Sequence, residues 1–499
     1  MAFRLFLLLG GIAALLAPIE EKSNLATAKD YFFSRRLDAA QETLRAMITA
    51  DPGNLPARYL LVRSLIESNQ PEAALKEAQV AAERAPSEAV ASVALGDARF
   101  RLGEFEAALA AYREALRLNP RHPRAALGVG RVLLSDFRFK SAKEYFTTAL
   151  ALDPRDADIA LAMSSVMVRS AAQLALEDQF VSAATYRDRE ELDGTKAFIS
   201  LFSLKHSAQP FVPLNRPEAA TVKLEAVPPY TTLPTAFLLP LSINNGEPRK
   251  LLLDTGAHGV LISSRLAQLD GIESQVPYRL GGLGGKGRLP SSLGWADTFK
   301  IGEIRFGGGP VIVTETPVAP MWEGIIGTDV LRDFLLTFDF PNNSLRIEKH
   351  SESGAEPYSW DRASEARPGF TLLRLAEGKL LVPATINGRT ISHFILDTGA
   401  ARNLIDRKLG QSISKLTSTR RKIQGVSGQV EEVLKSEELV LDFGGIRHRE
   451  SLMAVDLSEV SYALGVEVGG VIGCSVLRDL CVTVDYHNGM ARFQREAKP

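Results

Sequence analysis

The pattern of hydrophobic and polar positions changes once along the chain. Between residues 24 and 156, small and apolar residues recur with helical spacing, and one proline interrupts them every 34 residues. These prolines are Pro52, Pro86, Pro120 and Pro154. From residue 236 onward, short apolar runs of strand length alternate with turn-forming residues. Helical and strand periodicities belong to different elements, so the sequence predicts an all-α region followed by a mainly-β region.

Each 34-residue unit carries a small residue twelve positions before its proline. These residues are Ala40, Ala74, Ala108 and Ala142. Small residues let two helices approach closely, and proline cannot continue the second helix of a pair. Two short helices cannot bury their apolar faces alone, so such units must stack on one another. The pattern resembles the tetratricopeptide repeat, and we predict a helical domain over residues 24–180 that ends in a capping helix. A plain helical bundle is the alternative.

The resemblance to tetratricopeptide repeats implies a concave surface that binds protein or peptide segments. We therefore expect a protein partner at the repeat domain, although no residue identifies it.

The first residues form a short apolar segment. Arg4 precedes the stretch from Leu5 to Ala17, which is too short for a comfortable membrane span but suits a secretory signal. The residues before Pro18 make a poor cleavage site, so an uncleaved membrane tether is the alternative. We expect residues 1–19 to be a signal peptide or tether, and the protein to be exported, periplasmic or extracellular, or membrane-tethered.

Composition excludes several classes of function. The formal net charge is −1, so no basic excess indicates nucleic-acid binding. Two cysteines cannot build a disulfide framework or a zinc cluster, and the seven histidines show no metal-binding spacing. We predict no metal and no cofactor.

The β-rich region repeats itself. Asp254-Thr255-Gly256-Ala257 recurs 143 residues later as Asp397-Thr398-Gly399-Ala400, each after an apolar run. Further on, Gly324-Ile325-Ile326-Gly327 recurs 146 residues later as Gly470-Val471-Ile472-Gly473. The sequence thus predicts a linker at 181–235, with a helix from about Tyr186 to Ser203, and then a lobe at 236–349. A connector at 350–377 and a second lobe at 378–495 follow.

Both lobes resemble the retropepsin-like aspartic peptidases, whose signatures are the Asp-Thr-Gly loop and the later apolar-apolar-Gly before a short helix. The fold class expected is therefore a tetratricopeptide-type superhelix followed by a bilobed, mainly-β aspartic-protease fold. The resemblance implies that Asp254 and Asp397 are catalytic and that Thr255 and Thr398 hydrogen-bond across the two loops. Gly256 and Gly399 permit tight turns whose N–H groups face the carboxylates.

Paired carboxylates suit peptide hydrolysis. Two carboxylates within hydrogen-bond reach cannot both ionise cheaply, so they share one proton. The ionised partner then takes a proton from water, and the protonated partner donates to the developing oxyanion. Ala257 and Ala400 replace the serine common in pepsins, so a less acidic pH optimum is expected. These features predict an aspartic endopeptidase acting on a protein or peptide substrate.

Two glycine-rich stretches are predicted to be flaps over the cleft. Gly282, Gly284 and Gly285 belong to the first flap, and Gly425 and Gly428 to the second. The first stretch also matches Gly-x-Gly-x-x-Gly, but Pro290 and two serines follow instead of a helix, which argues against nucleotide binding.

Several alternatives remain open at this stage. The lobes could be a non-catalytic peptide-binding module, or the repeats could make the protein a scaffold. A monomer with an intramolecular pseudo-dimer is expected, but each lobe could instead pair with its twin on another chain. The second lobe has Ser475 where the first has Asp329, which weakens the symmetry. His258 follows the first loop, where it could line the cleft or simply be exposed.

Overall fold

A computed structural model describes most of the chain beyond residue 23. It covers residues 24–206, 208–227, 235–284, 287–315, 322–350, 358–363, 365–426, 428–430 and 432–495. The predicted signal or tether at 1–19 lies outside these residues. Across the described ranges, no helix is both long enough and apolar enough to cross a membrane.

Eleven α-helices occupy residues 24–206, which are described without a gap. They are α1 (Leu25–Phe33), α2 (Leu37–Ala50), α3 (Leu55–Glu67), α4 (Pro71–Arg84), α5 (Ala89–Arg101), α6 (Phe105–Leu118), α7 (Pro123–Ser135), α8 (Phe139–Leu152), α9 (Ala157–Ser164), α10 (Ala171–Ala183) and α11 (Arg189–Leu204). The four spaced prolines all fall in the turns between helices, because proline has no N–H for a helical bond. The predicted helix at 186–203 corresponds to α11, whereas the predicted cap is divided into α9 and α10.

Small residues set the distance between the helices of this array. The buried ring of Tyr112 in α6 fills the space beside Gly96 of α5 and Gly128 of α7, and the ring of Phe146 lies against Gly130. The first helices of successive pairs, α1, α3, α5, α7 and α9, pack against one another, whereas the second helices diverge. The first helices therefore line the inner, concave surface of the array.

The first lobe is an eight-stranded sheet with strand order β2-β3-β4-β9-β5-β8-β7-β6. Its elements, together with three strands outside this sheet (β1, β10 and β11), are β1 (Ala219–Lys223), β2 (Glu225–Val227), β3 (Ala236–Ile243), β4 (Arg249–Asp254), β5 (Val260–Ser263), α12 (Ser264–Leu269), β6 (Ser274–Leu280), β7 (Leu289–Ile301), β8 (Ile304–Thr314), β9 (Gly324–Gly327), a 3₁₀ helix (Thr328–Leu331), β10 (Phe334–Asp339) and β11 (Ser344–Lys349). Because β3 also pairs with β7, the sheet closes on itself like a barrel around an apolar core.

The second lobe repeats this arrangement with strand order β13-β14-β15-β22-β16-β21-β20-β17, and β14 also pairs with β20. The elements from the connector to the end of the chain are β12 (Thr371–Leu372), β13 (Arg374–Ala376), β14 (Lys379–Ile386), β15 (Thr390–Leu396), β16 (Leu404–Asp406), α13 (Arg407–Ile413), β17 (Leu416–Ser418), β18 (Gln424–Gly425), β19 (Gly428–Gln429), β20 (Leu434–Phe443), β21 (Ile446–Val455), α14 (Ser458–Leu464), β22 (Gly470–Ile472), α15 (Cys474–Leu477), β23 (Leu480–Asp485) and β24 (Met490–Arg495). The predicted fold class, a helical repeat region before two β-rich lobes, is confirmed.

A third sheet joins the two lobes in the order β1-β11-β10-β23-β24-β12. Its central pair, β10 and β23, comes from the equivalent ends of the two lobes, with Thr337 opposite Thr483. Strands β1 and β2 arise from the predicted linker, and β12 and β13 arise from the predicted connector. These segments are therefore parts of the sheets, because their backbone groups pair with exposed strand edges.

The helical array contacts both lobes. On the second lobe, the Arg101 guanidinium pairs with Glu467 at 2.6 Å, and the ring of Phe105 lies edge-on to His393. On the first lobe, α11 packs across β6 and β7. The helices, lobes and connecting segments thus form one continuous packed body.

We predict that Gly128→Ala destabilises the protein by about 1–3 kcal/mol. A Cβ atom at this position would overlap the Tyr112 ring, which Gly96 and a 2.8 Å hydrogen bond to Asp97 prevent from moving aside. Chemical denaturation followed by circular dichroism measures the loss.

The matched control is Gly194→Ala, in the middle of α11. There an added Cβ atom has only ordinary contacts at 3.7 Å, so alanine is expected to be neutral or to stabilise the helix by about 0.5–1 kcal/mol. Equal effects of the two substitutions would contradict this account of the packing.

Candidate active site

The two Asp-Thr-Gly loops follow equivalent buried strands. Leu251, Leu252 and Leu253 are buried in β4, which runs parallel to β9 and ends at Asp254 opposite Gly327. In the second lobe β15 runs parallel to β22, and Asp397 follows it directly. An apolar strand buried on both faces fixes the position of the residue that follows it, so each aspartate leaves its sheet at a defined point.

The threonines of the two loops bind each other reciprocally. The backbone N–H of Thr255 donates to Oγ1 of Thr398 at 3.0 Å, and the N–H of Thr398 donates to Oγ1 of Thr255 at the same distance. Each hydroxyl donates onward at 2.7 Å, Thr255 to the carbonyl of Leu396 and Thr398 to that of Leu253. Both threonines are buried, so these four hydrogen bonds are shielded from water.

This exchange brings Asp254 and Asp397 together. Their carboxyl groups lie close enough for each to shift the pKa of the other. A Cβ atom on Gly256 would lie 2.7 Å from Cγ of Asp397, and one on Gly399 would lie 2.5 Å from Cγ of Asp254. Only glycine leaves room for the partner's carboxyl group at either position. The predicted residues of both loops therefore meet at one place between the lobes.

The two carboxyl groups are not equivalent. Burial, followed by the charge of Asp397, raises the pKa of Asp254 well above its usual value. Burial also raises the pKa of Asp397, but that carboxylate is stabilised by hydrogen bonds from Asp254 and from the N–H of Ala400, the latter at 2.8 Å. Asp254 likewise accepts a backbone N–H, that of Gly256 at 2.7 Å, so the two carboxyl groups share one proton and titrate as one unit.

Lys379 is a cation beside this pair that sequence reasoning missed. It begins β14, and its charge lowers the pKa values of both Asp254 and Asp397. Burial lowers the pKa of Lys379 itself, against the charges of three aspartates that raise it. At the 143-residue offset the first lobe has Ala236, so aligning the two copies would have revealed this difference.

His258 connects the lobes beside the first loop. Its Nε2 lies 2.8 Å from the carbonyl oxygen of Glu377, and its Nδ1 lies 3.7 Å from Asp329. Asp329 in turn accepts the N–H of Gly259. The side chain of His258 is 46% exposed, so the residue is exposed and also lies at the edge of the cleft. Its position next to Gly378 and Lys379 makes it a bridge at the edge of the cleft.

The second lobe replaces the missing aspartate with a different set of groups. Ser475 accepts the N–H of Asn403 at 2.9 Å, as Asp329 accepts that of Gly259 in the first lobe. The carboxylate is supplied by Glu450 of β21, which accepts from Ser475 and from the Asn403 amide. Glu450 thus supplies the carboxylate that the second lobe lacks at position 475, although no sequence motif indicates a role for β21.

The two predicted flaps are hairpin tips that touch each other. The first lies between β6 and β7 and the second between β18 and β19. Gly284 has φ +139° and Gly428 has φ +135°, and an added Cβ on Gly284 would lie 2.5 Å from the Gly428 backbone. A Cβ on Gly425 would overlap the backbone of Leu283 even more closely. Gly282 lies in the first tip, and Gly285 is outside the described residues.

Each tip reaches toward the opposite lobe. Val426 of the second flap packs into an apolar cluster of the first lobe that includes Ala257, next to the first Asp-Thr-Gly loop. Leu283 of the first flap packs against the cluster that contains second-lobe residues and Ala400. The flaps therefore cross over the space between the lobes.

The arrangement can carry out acid–base chemistry. Two carboxyl groups that can share one proton lie side by side in a glycine-lined gap beneath two hairpins, which is suitable for activating a water molecule. Within the described residues, no group of three or more His, Cys, Asp or Glu side chains is arranged to hold a metal ion.

Comparisons with known proteins identify the same regions. A family model described as aspartyl protease matches residues 239–330 and again 382–476. Two tetratricopeptide-repeat models match residues 34–95 and 93–157. DNA damage-inducible protein 1 of Kluyveromyces lactis is 32% identical over 129 residues, which are 25% of this chain and 29% of that protein. The chain thus spans less than a third of the length of that relative.

Two solved structures resemble the helical region in part. A thermophilic tetratricopeptide-repeat protein of Thermus thermophilus is 22% identical, and the match covers 36% of this chain and 97% of that one, with a TM-score of 0.31. PilF of Pseudomonas aeruginosa is 20% identical over 37% of this chain and 84% of its own, with a TM-score of 0.28. The family models confirm both predicted resemblances: the chain carries a retropepsin-like aspartyl protease domain twice in succession, behind a region of tetratricopeptide repeats.

Proposed function

We propose that the protein is an aspartic endopeptidase in which one chain supplies both halves of the catalytic pair. The observation that carries this proposal is the close approach of Asp254 and Asp397 at the junction of the two lobes, where the glycine of each loop lies against the carboxyl group of the other. Two carboxyl groups held in contact are costly for folding unless they share a proton, and a shared proton is what acid–base hydrolysis requires.

In the proposed mechanism the two aspartates have different roles. Asp397 is the ionised partner and takes a proton from a water molecule that attacks the peptide carbonyl. Asp254 holds the proton and donates it to the carbonyl oxygen as negative charge develops there. The proton gained by Asp397 then passes to the leaving nitrogen, the C–N bond breaks, and a hydroxyl of the intermediate returns a proton to Asp254. Lys379 acts at a distance, because its charge favours the ionised form of the pair.

The proposed substrate is a protein or peptide segment recruited by the repeats. The hairpin turn at Glu377 lies between the repeats and the cleft. Burial raises the pKa of Glu377, and the charges of Arg187 and Arg131, two arginines of the helical region, lower it because they lie near this turn. Arg131 belongs to α7, which packs against β13. The concave surface is therefore adjacent to the turn that leads into Lys379, and a segment bound there would lie close to the cleft.

We also propose that the protein acts as a monomer that is exported or tethered to a membrane. The proposal of a monomer is supported by the internal pairing of the two lobes, and that of export by the apolar stretch from Leu5 to Ala17. The alternative is a non-catalytic peptide-binding or scaffold protein, whose function would not depend on the charge of Asp254 and Asp397.

Asp397→Asn should abolish peptide cleavage, with a loss on the order of 10³-fold or more, because an amide cannot accept the proton of water. Cleavage of a peptide library by the purified full chain provides the measurement. The matched control is Asp442→Asn, which removes a partly exposed carboxylate of the same lobe that pairs with Arg447. Undiminished cleavage by Asp397→Asn, with its circular dichroism spectrum intact, would make the proposed pair untenable.

The pH profile of kcat/KM should peak above about pH 4, less acidic than that of a pepsin-type pair. Because the pKa of Asp254 is raised, the pair keeps its single proton to higher pH. Because the pKa of Asp397 is raised too, the second proton binds at higher pH than on a free aspartate, which moves the acid limb upward. A maximum well below pH 4 would refute this expectation.

Lys379→Met should move both limbs of that profile to higher pH. Removing the lysine charge removes a cause that lowers the pKa of each carboxyl group. Lys379→Arg retains the charge and should leave the limbs in place. Limbs that do not move in Lys379→Met would exclude an electrostatic role for this lysine.

A further inference from the structure

One short segment connects the concave surface of the repeats to the first flap. We call residues 184–204 the strap; it runs from the end of α10 through α11. Its first residues lie against the inner helices of the array. Its remaining residues lie along β6 and β7, the two strands that carry the first flap.

The repeat end of the strap is held by Tyr186. Its side chain is only 2% exposed and stacks on Phe32 of α1, with ring centroids 5.0 Å apart. Its hydroxyl donates to Asp158 of α9 at 2.6 Å, and its carbonyl accepts from Arg35 at 2.9 Å. The contacts thus reach from the first helix of the array to the ninth, across its inner surface.

Arg187 binds the same surface through its charge. It lies 3.6 Å from Asp158 and 3.8 Å from Glu67, whose side chains are 6% and 10% exposed. Arg63 and Arg124 also pair with Asp158, at 3.3 and 2.6 Å. The concave surface therefore offers a buried acidic position and a stacking ring, and the chain's own Tyr186 and Arg187 occupy both.

The flap end of the strap begins only three residues later. Glu190 lies 3.5 Å from Arg279 and 3.4 Å from Arg288, and its carbonyl accepts from Arg288 at 3.0 Å. These two arginines stand on either side of the first flap tip, one near the end of β6 and one just before β7. Between the two ends, Asp188 caps α11 by accepting the N–H of Glu190 at 2.9 Å.

Apolar contacts extend this attachment along the flap stem. Ala197 and Leu201 of α11 form a buried cluster with Leu293 of β7. The ring of Phe198 lies edge-on to Tyr278 of β6, and that of Phe202 lies edge-on to Trp295 of β7. Movement of α11 away from the lobe would remove the support of both flap strands at once.

We propose that the strap is a latch that keeps the first flap closed while Tyr186 and Arg187 occupy the concave surface of the repeats. The ligand that releases the latch is a peptide segment in which an aromatic residue is followed by arginine, because that is the chemistry the surface already accepts. Such a segment competes with the strap, and the equilibrium shifts by the difference in its affinity for the open and latched states. Control of cleavage by this latch rests on the proposed peptidase function, whereas the latch itself does not.

Hydrogen exchange of residues 274–301 tests the latch without requiring cleavage. In the full chain, Arg187→Ala should raise exchange in the flap stem by roughly tenfold, because it leaves Asp158 and Glu67 without one buried partner. Glu190→Gln, which weakens the flap end only, should raise exchange by about threefold. The controls are Arg189→Ala and Asp193→Asn, which alter an exposed pair on the same helix and should leave exchange unchanged.

Peptide binding tests the ligand. The probe is a fluorescent peptide with the sequence of residues 181–191, and its control has alanine in place of the tyrosine and the first arginine. The probe should bind the Arg187→Ala chain at least about tenfold more tightly than the unaltered chain, where the tethered strap competes at high effective concentration. The control peptide should bind neither chain, and excess probe should raise flap exchange in the unaltered chain.

The outcomes separate the two proposals. Flap exchange in Arg187→Ala and Glu190→Gln that equals that of their controls would overturn the latch. Equal binding of probe and control peptide would overturn the aromatic–arginine ligand. If exchange and binding behave as expected while no peptide is cleaved by any variant, the latch stands and the peptidase function fails.

Discussion

The junction of the two lobes depends on the reciprocal hydrogen bonds between Thr255 and Thr398. Each hydroxyl accepts the N–H of the other threonine and donates to the carbonyl that precedes the other aspartate, so neither loop can be placed without its partner. This buried exchange offsets the repulsion between Asp254 and Asp397, which would otherwise separate the loops. The glycine after each threonine then admits the opposite carboxyl group. Chemistry at the pair is therefore a property of the interface between the lobes, not of either lobe alone.

The two lobes have similar folds, but their two aspartates have unequal surroundings. Burial raises the pKa of both aspartates, and each carboxylate accepts one backbone N–H, from Gly256 for Asp254 and from Ala400 for Asp397. Lys379 belongs to the second lobe and has no equivalent lysine in the first. His258 belongs to the first lobe and contacts the carbonyl of Glu377 beside the second. Duplication therefore supplies the pair of acids, and divergence outside the loops gives them different neighbours. The strap adds a third difference, because among the described residues α11 packs against the two strands of the first flap.

Local patterns explain why the repeats, the two lobes and the Asp-Thr-Gly loops could be predicted from the sequence. The proline period and the duplicated Asp-Thr-Gly triplet are visible in the sequence itself. The first predicts the helical repeats, and the second predicts the two loops. The missed residues act through partners distant in the chain: Glu450 substitutes for a carboxylate lacking at Ser475, and Tyr186 reaches Asp158 and Phe32. Strands formed by the predicted linker and connector were missed for the same reason, since only the exposed edges of the sheets determine them.

The central claim is that both acids of the proposed catalytic pair come from one polypeptide. Titration of this site with an inhibitor in solution tests that claim most directly. A pepstatin-type inhibitor imitates the tetrahedral intermediate and should bind only a pair that shares a proton. Calorimetric titration, with the molecular mass measured in the same sample, should give one inhibitor bound per 54.3 kDa chain in a monomer. One inhibitor per two chains would mean that each site is built from two molecules. No binding by correctly folded protein would contradict the account altogether.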